Sequence, residues 1–215
     1  MDRDVEIKQQ EKKQTNPSSF DKIVQEVFAP IYPVITEQIV QTTKVKNGKC
    51  LDAGCGTGAL GRSMAHITDL EITFFDQSEE MLELAKQYTT KESIVERSNF
   101  LQGDIHNIGL EDNSMDLVIS RGSMPFWEDL HQAFSEILRV LKVGAYAYVG
   151  GGFGNATLRD EIKVTMKERN PNWNKSFSSK FKAEKDALPE IVKSLNPTYH
   201  QIIDDDSGFW VLMMK

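Results

Sequence analysis

Short apolar runs alternate with amphipathic segments through the middle of the chain. Runs rich in β-branched and aromatic residues favour buried strands, and apolar residues at helical spacing favour helices between them. The runs predict strands at residues 49–53, 71–75, 98–102, 115–120 and 144–150. The amphipathic segments predict helices at about residues 58–67, 79–89 and 128–142, the last one ended by Gly144. Strands and helices in alternation predict a mostly parallel sheet covered on both faces.

The two ends of the chain depart from this rhythm. Residues 1–19 are polar and predict a tail, whereas residues 20–45 have apolar positions at helical spacing, broken at Pro30 and Pro33, and predict a helical cap. Beyond the predicted core at residues 46–150, segments 156–169 and 180–195 predict helices within an insert at 151–196. Two apolar runs around a short polar loop predict a β-hairpin within residues 197–215. We therefore expect one α/β domain with a seven-stranded, doubly wound sheet and an antiparallel C-terminal hairpin.

Composition and charge narrow the class of protein. The chain has 215 residues, of which 40% are hydrophobic and 27% are charged, as in an ordinary soluble domain. A formal net charge of −7 argues against nucleic acid as the main partner. No apolar run approaches the roughly 18 residues of a membrane span, and the first residues lack a secretory signal. Cys50 and Cys55 do not form a metal-ligand pattern and fit a reducing cytoplasm.

Three glycines at every second position follow the first predicted strand and precede a helix. Such a loop lets the backbone turn tightly and lets a ligand approach closely. The pattern Gly54-x-Gly56-x-x-Ala59, with Asp76 further on, fits a dinucleotide. The same loop also has Gly58 and begins after Asp52, in the pattern Asp-x-Gly-x-Gly-x-Gly. The loop by itself does not decide between a dinucleotide and another ligand that contains a nucleoside.

Residues 51–58 as a whole resemble the first motif of the class I S-adenosylmethionine-dependent methyltransferases. The resemblance covers about residues 49–150 and extends more loosely to the C-terminal hairpin, because further elements follow in the order typical of this family. It implies a Rossmann-like methyltransferase fold, S-adenosyl-L-methionine as cofactor and S-adenosyl-L-homocysteine as product. It also implies that Asp52, Gly54, Gly56 and Gly58 belong to the cofactor site.

The resemblance assigns roles to residues after the next two strands. Asp76 would accept hydrogen bonds from the ribose hydroxyls, with Gln77 beside it; the alternative is that Asp76 caps the following helix in a capping box with Glu79. Asp104 would accept from the adenine amino group, and the backbone of Ile105 would meet the ring. The alternative for Asp104 is a surface turn.

Ser120 and Arg121 end the fourth strand, where the family places the methionine end of the cofactor and the acceptor. Arg121 could pair with the cofactor carboxylate or with an anion of the substrate. Tyr32 could donate its hydroxyl to the methionine carboxylate, or could simply pack at a helix break. His106 is the histidine best placed for a base, although a lone loop histidine is seldom catalytic. No catalytic residue is assigned.

The acceptor is not specified by any catalytic signature. Methyl transfer from a sulfonium needs alignment and exclusion of water more than acid–base groups. The chain lacks the Asn/Asp-Pro-Pro-Tyr sequence that members acting on amines and nucleobases carry after the fourth strand, which favours a small-molecule acceptor. Two other functions stay open at this stage, an NAD-type oxidoreductase and a non-catalytic protein that binds the cofactor.

Overall fold

The computed structural model describes residues 17–171, 173 and 178–215. Its helices are α1 (Pro17–Ile23), α2 (Ile31–Thr43), α3 (Ala59–Ile67), α4 (Glu79–Lys91), α5 (Leu130–Val140), α6 (Ala156–Arg169) and α7 (Ser178–Ser194). Its strands are β1 (Asn47–Ala53), β2 (Asp69–Asp76), β3 (Ser98–Gln102), β4 (Met115–Arg121), β5 (Leu141–Gly152), β6 (Tyr199–Asp205) and β7 (Gly208–Met214). The predicted alternation of strands and helices is confirmed.

All these strands form one sheet in the order β3-β2-β1-β4-β5-β7-β6. The first five strands are parallel to one another, and β7 lies antiparallel between β5 and β6. The predicted sheet and its closing hairpin are confirmed. The strand order reverses direction between β1 and β4, and open α/β sheets bind ligands outside the carboxyl ends of the strands at such a point.

The helices cover both faces of the sheet, as predicted. One face packs against α2, α3, α4 and α6, and its core includes the fully buried Ile31, Ile35 and Phe74. The other face packs against α5 and α7, with Phe134 and Leu188 fully buried there. Burial of such side chains contributes about 1.5–3 kcal/mol each. The two cores hold the strand ends in place and thereby position the loops that follow them.

The prediction of a helix up to residue 142 was wrong at its end. Helix α5 ends at Val140, and Leu141 already has extended backbone and pairs with Met115 of β4. Gly144 lies inside β5 with a φ of 78° and does not stop a helix. Leu141 is fully buried in the structure. An apolar residue at a buried position fits a helix and a strand equally, so its apolar character does not distinguish the two.

The N-terminal region also differs from the prediction. Residues 1–16 of the predicted tail lie outside the described residues, whereas residues 17–19 begin α1. A π-helical turn, Val24–Phe28, leads from α1 toward α2. Pro33 does not break α2, because it lies in the first turn, where the missing N–H has no helical partner. Within the described residues, no helix is both long enough and apolar enough to cross a membrane.

Candidate cofactor-binding site

The glycine loop follows β1 at the point where the strand order reverses. Gly54, Gly56 and Gly58 have φ values of 69°, 53° and 78°, in the left-handed region that favours glycine. A Cβ on Gly54 would lie 2.4 Å from the Cβ of Ser123, which follows β4. The loop therefore needs glycine for its backbone conformation and for its close approach to the segment after β4.

Backbone hydrogen bonds fasten this loop to the end of β2. The N–H groups of Gly54 and Cys55 both donate to the carbonyl oxygen of Phe75, at 2.8 and 3.0 Å. Gly56 N–H donates to Oδ2 of Asp76 at 2.9 Å. The residue predicted to bind the ribose therefore lies directly beside the loop.

The Asp76 carboxylate has a different local role from the capping alternative. Its Oδ1 accepts from Ser78 N–H at 2.9 Å, and it is Ser78 that caps α4 by accepting from Met81 N–H. The alternative in which Asp76 caps the helix was therefore wrong. Burial raises the pKa of Asp76, and the hydrogen bonds from Ser78 and Gly56 oppose that rise. Its ribose contact stays a prediction, and Gln77 beside it is exposed.

Asp52 supports the loop from below. Its side chain is buried, and Oδ2 accepts from Gly61 N–H of α3 at 2.9 Å. Burial raises the pKa of Asp52 to about 7, a rise that the Gly61 hydrogen bond opposes and the nearby Asp76 charge increases. A Cβ on Gly61 would lie 2.6 Å from Cε1 of Phe74, so this helix packs on β2 only because residue 61 is glycine. Sequence reasoning missed Gly61, although a fourth glycine shortly after the loop is a sequence signal for such close packing.

The loop presents groups that fit the predicted cofactor. The buried hydroxyl of Thr57 has no hydrogen-bond partner within the described residues. A Cβ on Gly56 would meet the ring of Phe20 at 3.5 Å, in ordinary contact, and glycine leaves that volume free. With the Asp76 carboxylate, these groups suit a nucleoside, because a ribose diol would donate to the carboxylate.

Asp104 and Ile105 lie in the turn after β3. Oδ1 of Asp104 accepts from the backbone N–H of His106 and lies 2.5 Å from its Nδ1. These hydrogen bonds lower the pKa of Asp104. Ile105 is buried in the core beside α5. The surface-turn geometry is present, since Asp104 bridges to Asn107, and the adenine contact stays a prediction.

His106 is held at both ring nitrogens. Its Nδ1 contacts the Asp104 carboxylate, and its Nε2 accepts from Asp129 N–H at 3.1 Å. These two bonds define the neutral tautomer with the proton on Nδ1. Both ring nitrogens are engaged within the protein, so neither is available to take a proton from a methyl-accepting substrate. His106 instead joins this turn to the start of α5.

Ser120 braces β4 on β1. It is fully buried, and its hydroxyl lies 2.7 Å from the carbonyl oxygen of Ala53 and 2.6 Å from the hydroxyl of Ser123. The hydroxyl of Ser123 lies 3.1 Å from the same carbonyl oxygen. The pair fixes the segment that covers Gly54, and a direct cofactor contact for Ser120 stays a prediction.

Arg121 and Tyr32 lie together at the end of β4. The Cζ of Arg121 lies 5.8 Å from the ring centroid of Tyr32, and its Nε and Nη2 donate to the carbonyl oxygen of Gly152 at 3.3 and 3.2 Å. Burial raises the pKa of Tyr32, while Arg121 lowers it. Both sequence alternatives for Tyr32 are compatible with this position, because it is buried among apolar side chains and has a polar neighbour.

The N-terminal helix α1, which leads into the predicted helical cap, covers the glycine loop, and sequence reasoning did not identify the side chains that make the contact. Phe20 of α1 lies over Gly56, and Asp21 accepts a hydrogen bond of 2.6 Å from the Tyr88 hydroxyl of α4. Burial and the Asp21 contact raise the pKa of Tyr88 to about 12. On the other side, Glu26 pairs with Arg169 of α6 at 2.8 Å. Polar side chains of α1 and of the π-helical turn after it therefore hold this N-terminal segment on α4 and α6.

Replacing Tyr88 with phenylalanine removes the hydroxyl that holds α1 on α4. We expect the backbone amides of α1 to exchange several-fold faster with solvent, because local opening costs less free energy without this bond. Hydrogen–deuterium exchange followed by mass spectrometry measures the effect. Tyr199→Phe, which removes an exposed hydroxyl bonded to Gln201, is the matched control. Unchanged exchange in α1 would show that its apolar contacts alone hold it.

Comparisons with known proteins decide between S-adenosylmethionine and NAD as the cofactor. A profile of the methyltransferase domain family matches residues 51–149. A protein of Methanococcus maripaludis assigned as an S-adenosyl-L-methionine-dependent methyltransferase is 40% identical, with a TM-score of 0.86 over 93% of this chain and 91% of that chain. The chain belongs to the class I S-adenosylmethionine-dependent methyltransferases. The predicted family, enzyme class and cofactor are confirmed, and the NAD reading of the loop is not supported.

Curated relatives of this methyltransferase match about half of its length. Sterol 24-C-methyltransferase of Aspergillus fumigatus is 30% identical over 119 residues, 54% of this chain and 32% of that protein. Demethylmenaquinone methyltransferase of Chlorobaculum tepidum is 38% identical over 102 residues, 47% of this chain and 39% of that protein. The match spans about a third of the length of these relatives.

Proposed function

We propose that this chain transfers a methyl group from S-adenosylmethionine to a small-molecule acceptor. The observation that carries the proposal is the glycine loop held between β1 and the Asp76 carboxylate at the reversal of strand order. The names of the curated relatives, a sterol and a quinone-precursor methyltransferase, support an acceptor of small-molecule size. Support for a cytoplasmic setting comes from the two free thiols of Cys50 and Cys55.

Binding and orientation are the contributions we assign to the chain's own residues. When bound, the cofactor supplies a methyl group already activated by its sulfonium. Asp76 and the Thr57 hydroxyl would hold the nucleoside, while Asp52 and Ser123 keep the loop in shape. Phe20 and the rest of α1 would exclude water from the crevice. Alignment of this kind lowers the barrier without a general base, in keeping with the engaged nitrogens of His106.

Calorimetry with S-adenosylmethionine, S-adenosylhomocysteine and NAD tests the cofactor part of the proposal. We expect S-adenosylmethionine and S-adenosylhomocysteine to bind in the micromolar range, since the loop and Asp76 are already in place. We expect no heat of binding with NAD at the same concentrations. If NAD bound while neither S-adenosylmethionine nor S-adenosylhomocysteine did, the assignment would be overturned.

Transfer of a labelled methyl group to a metabolite panel tests the activity. The panel contains carboxylic acids, phosphates, phenols, amines, thiols and quinols, with S-adenosylmethionine labelled on its methyl group. We expect labelled product from at least one small molecule. A chain that binds S-adenosylmethionine but labels none of these classes would contradict the catalytic proposal and favour a non-catalytic cofactor-binding protein.

A further inference from the structure

Arg121 has a half-buried cation without an acidic partner among the described residues. Its guanidinium donates to one carbonyl oxygen, that of Gly152. Other arginines of the described part are neutralised by carboxylates: Arg62 by Glu92, Arg139 by Glu136 and Asp112, Arg159 by Asp160 and Asp206, and Arg169 by Glu26. Arg97 instead donates to three backbone carbonyls. A buried cation without a partner costs free energy, which an anion from outside the chain would offset.

Three aromatic rings surround this cation. Its Cζ lies 4.8 Å from the ring centroid of Phe28, 5.7 Å from that of Phe153 and 5.8 Å from that of Tyr32. The rings come from the π-helical turn, the segment after β5 and α2, so three elements fix the direction of the guanidinium. The rings shield part of the guanidinium from water, which strengthens its attraction to an anion. The site thus combines a charge for an anion with apolar walls for the group that carries it.

The guanidinium leans away from the glycine loop. It donates to Gly152 at the end of β5, whereas the loop follows β1 on the opposite side of β4. Beside it, a Cβ on Gly122 would meet no atom within 4 Å, and one on Gly151 would meet only the backbone of Gly122, at 3.8 Å. The surface at the ends of β4 and β5 is therefore open to a ligand, and it lies on the far side of the loop from β2 and Asp76. A molecule there would adjoin the cofactor crevice without occupying it.

We propose that Arg121 binds a carboxylate or phosphate of the methyl acceptor, so that the acceptor is an anionic small molecule with an apolar part facing Phe28 and Phe153. The inference rests on the proposed methyltransferase function. The planar guanidinium matches either anion with two parallel hydrogen bonds. Since the whole chain carries a net charge of −7, a local cation is needed to attract an anionic acceptor.

Calorimetry on the chain saturated with S-adenosylhomocysteine tests this site. The probes are benzoate and phenyl phosphate, with the neutral benzamide as the matched control ligand. We expect both anions to bind at least tenfold more tightly than benzamide. We expect Arg121→Gln to weaken the anions at least tenfold while changing S-adenosylhomocysteine affinity less than twofold. Arg121→Lys, which keeps the charge and loses the planar fork, should lie between them.

A control variant and four distinguishable outcomes make the test decisive. Arg159→Gln removes an exposed positive charge paired with Asp160 and Asp206, and it should leave anion binding unchanged. Thermal melts confirm that each variant is folded. Equal binding of anions and benzamide, or equal anion binding by wild type and Arg121→Gln, would overturn the proposal. A tenfold loss of S-adenosylhomocysteine affinity in Arg121→Gln would also overturn it, because Arg121 would then hold the methionine carboxylate. Failure of the wild type to bind S-adenosylhomocysteine would instead refute the proposed function.

Discussion

Asp52→Asn is expected to make the folded chain more stable than the wild type above pH 7. Burial raises the pKa of the wild-type carboxyl from 3.8 to about 7, so ionising it in the folded state costs about 4 kcal/mol more than in the unfolded chain. The folded state holds this proton more tightly, so wild-type stability falls as pH rises from about 4 to about 7. The asparagine still has an oxygen to accept from Gly61 N–H and carries no charge. Urea denaturation at half-unit steps from pH 5 to pH 8.5 measures the difference.

Asp116→Asn is the matched control because its pH dependence has the opposite sign. Burial raises the pKa of Asp116, but hydrogen bonds from Lys142 and from Lys49 N–H outweigh that effect and leave the pKa below its usual value. The wild-type carboxylate therefore stabilises the fold at neutral pH, and this stabilisation is lost as pH falls through its lowered folded-state pKa. Asp116→Asn should be less stable than wild type at pH 7. Parallel stability curves for Asp52→Asn and wild type from pH 5 to 8.5 would show that Asp52 ionises without cost.

Most of the sheet could be predicted because each strand is a local apolar run with its own turn. The pattern placed five parallel strands and a terminal hairpin, and the structure has them in one sheet. The end of α5 could not be predicted in the same way. Leu141 continues the apolar stripe of the helix, and only its pairing with Met115 makes it the first residue of β5. Local periodicity lacks that long-range information.

The candidate site divides along the same line between local and long-range contacts. The glycine loop and Asp76 lie at strand ends, so position in sequence predicts their meeting, and Gly56 N–H does contact Asp76. The rings around Arg121 come from segments far apart in the chain, and no local pattern joins Phe28 to Phe153. The cover by Phe20 is a tertiary contact of the same kind. The proposed acceptor site is therefore the part of this protein that sequence patterns describe least.

Asp76→Ala is expected to weaken binding of S-adenosylhomocysteine by about 1–3 kcal/mol, roughly 5- to 150-fold in affinity. The loss has two physical sources. The ribose hydroxyls would lose a charged acceptor, and Gly56 N–H loses the 2.9 Å bond that shapes the glycine loop. Asp76→Asn separates them, because its amide oxygen still accepts from Gly56 while the charge is gone. We expect it to bind more weakly than wild type and more tightly than Asp76→Ala. Calorimetry at fixed pH and salt measures all three.

Asp69→Ala supplies the matched control for this series. Asp69 begins β2 and is exposed at the opposite end of the same strand, so its removal changes net charge equally without touching the loop. Its affinity for S-adenosylhomocysteine should equal that of the wild type. If Asp76→Ala also bound with wild-type affinity, the carboxylate would be a loop brace alone and the ribose would need another partner. A loss confined to Asp76→Ala, with Asp76→Asn fully active in binding, would assign the effect to the Gly56 bond and not to the negative charge.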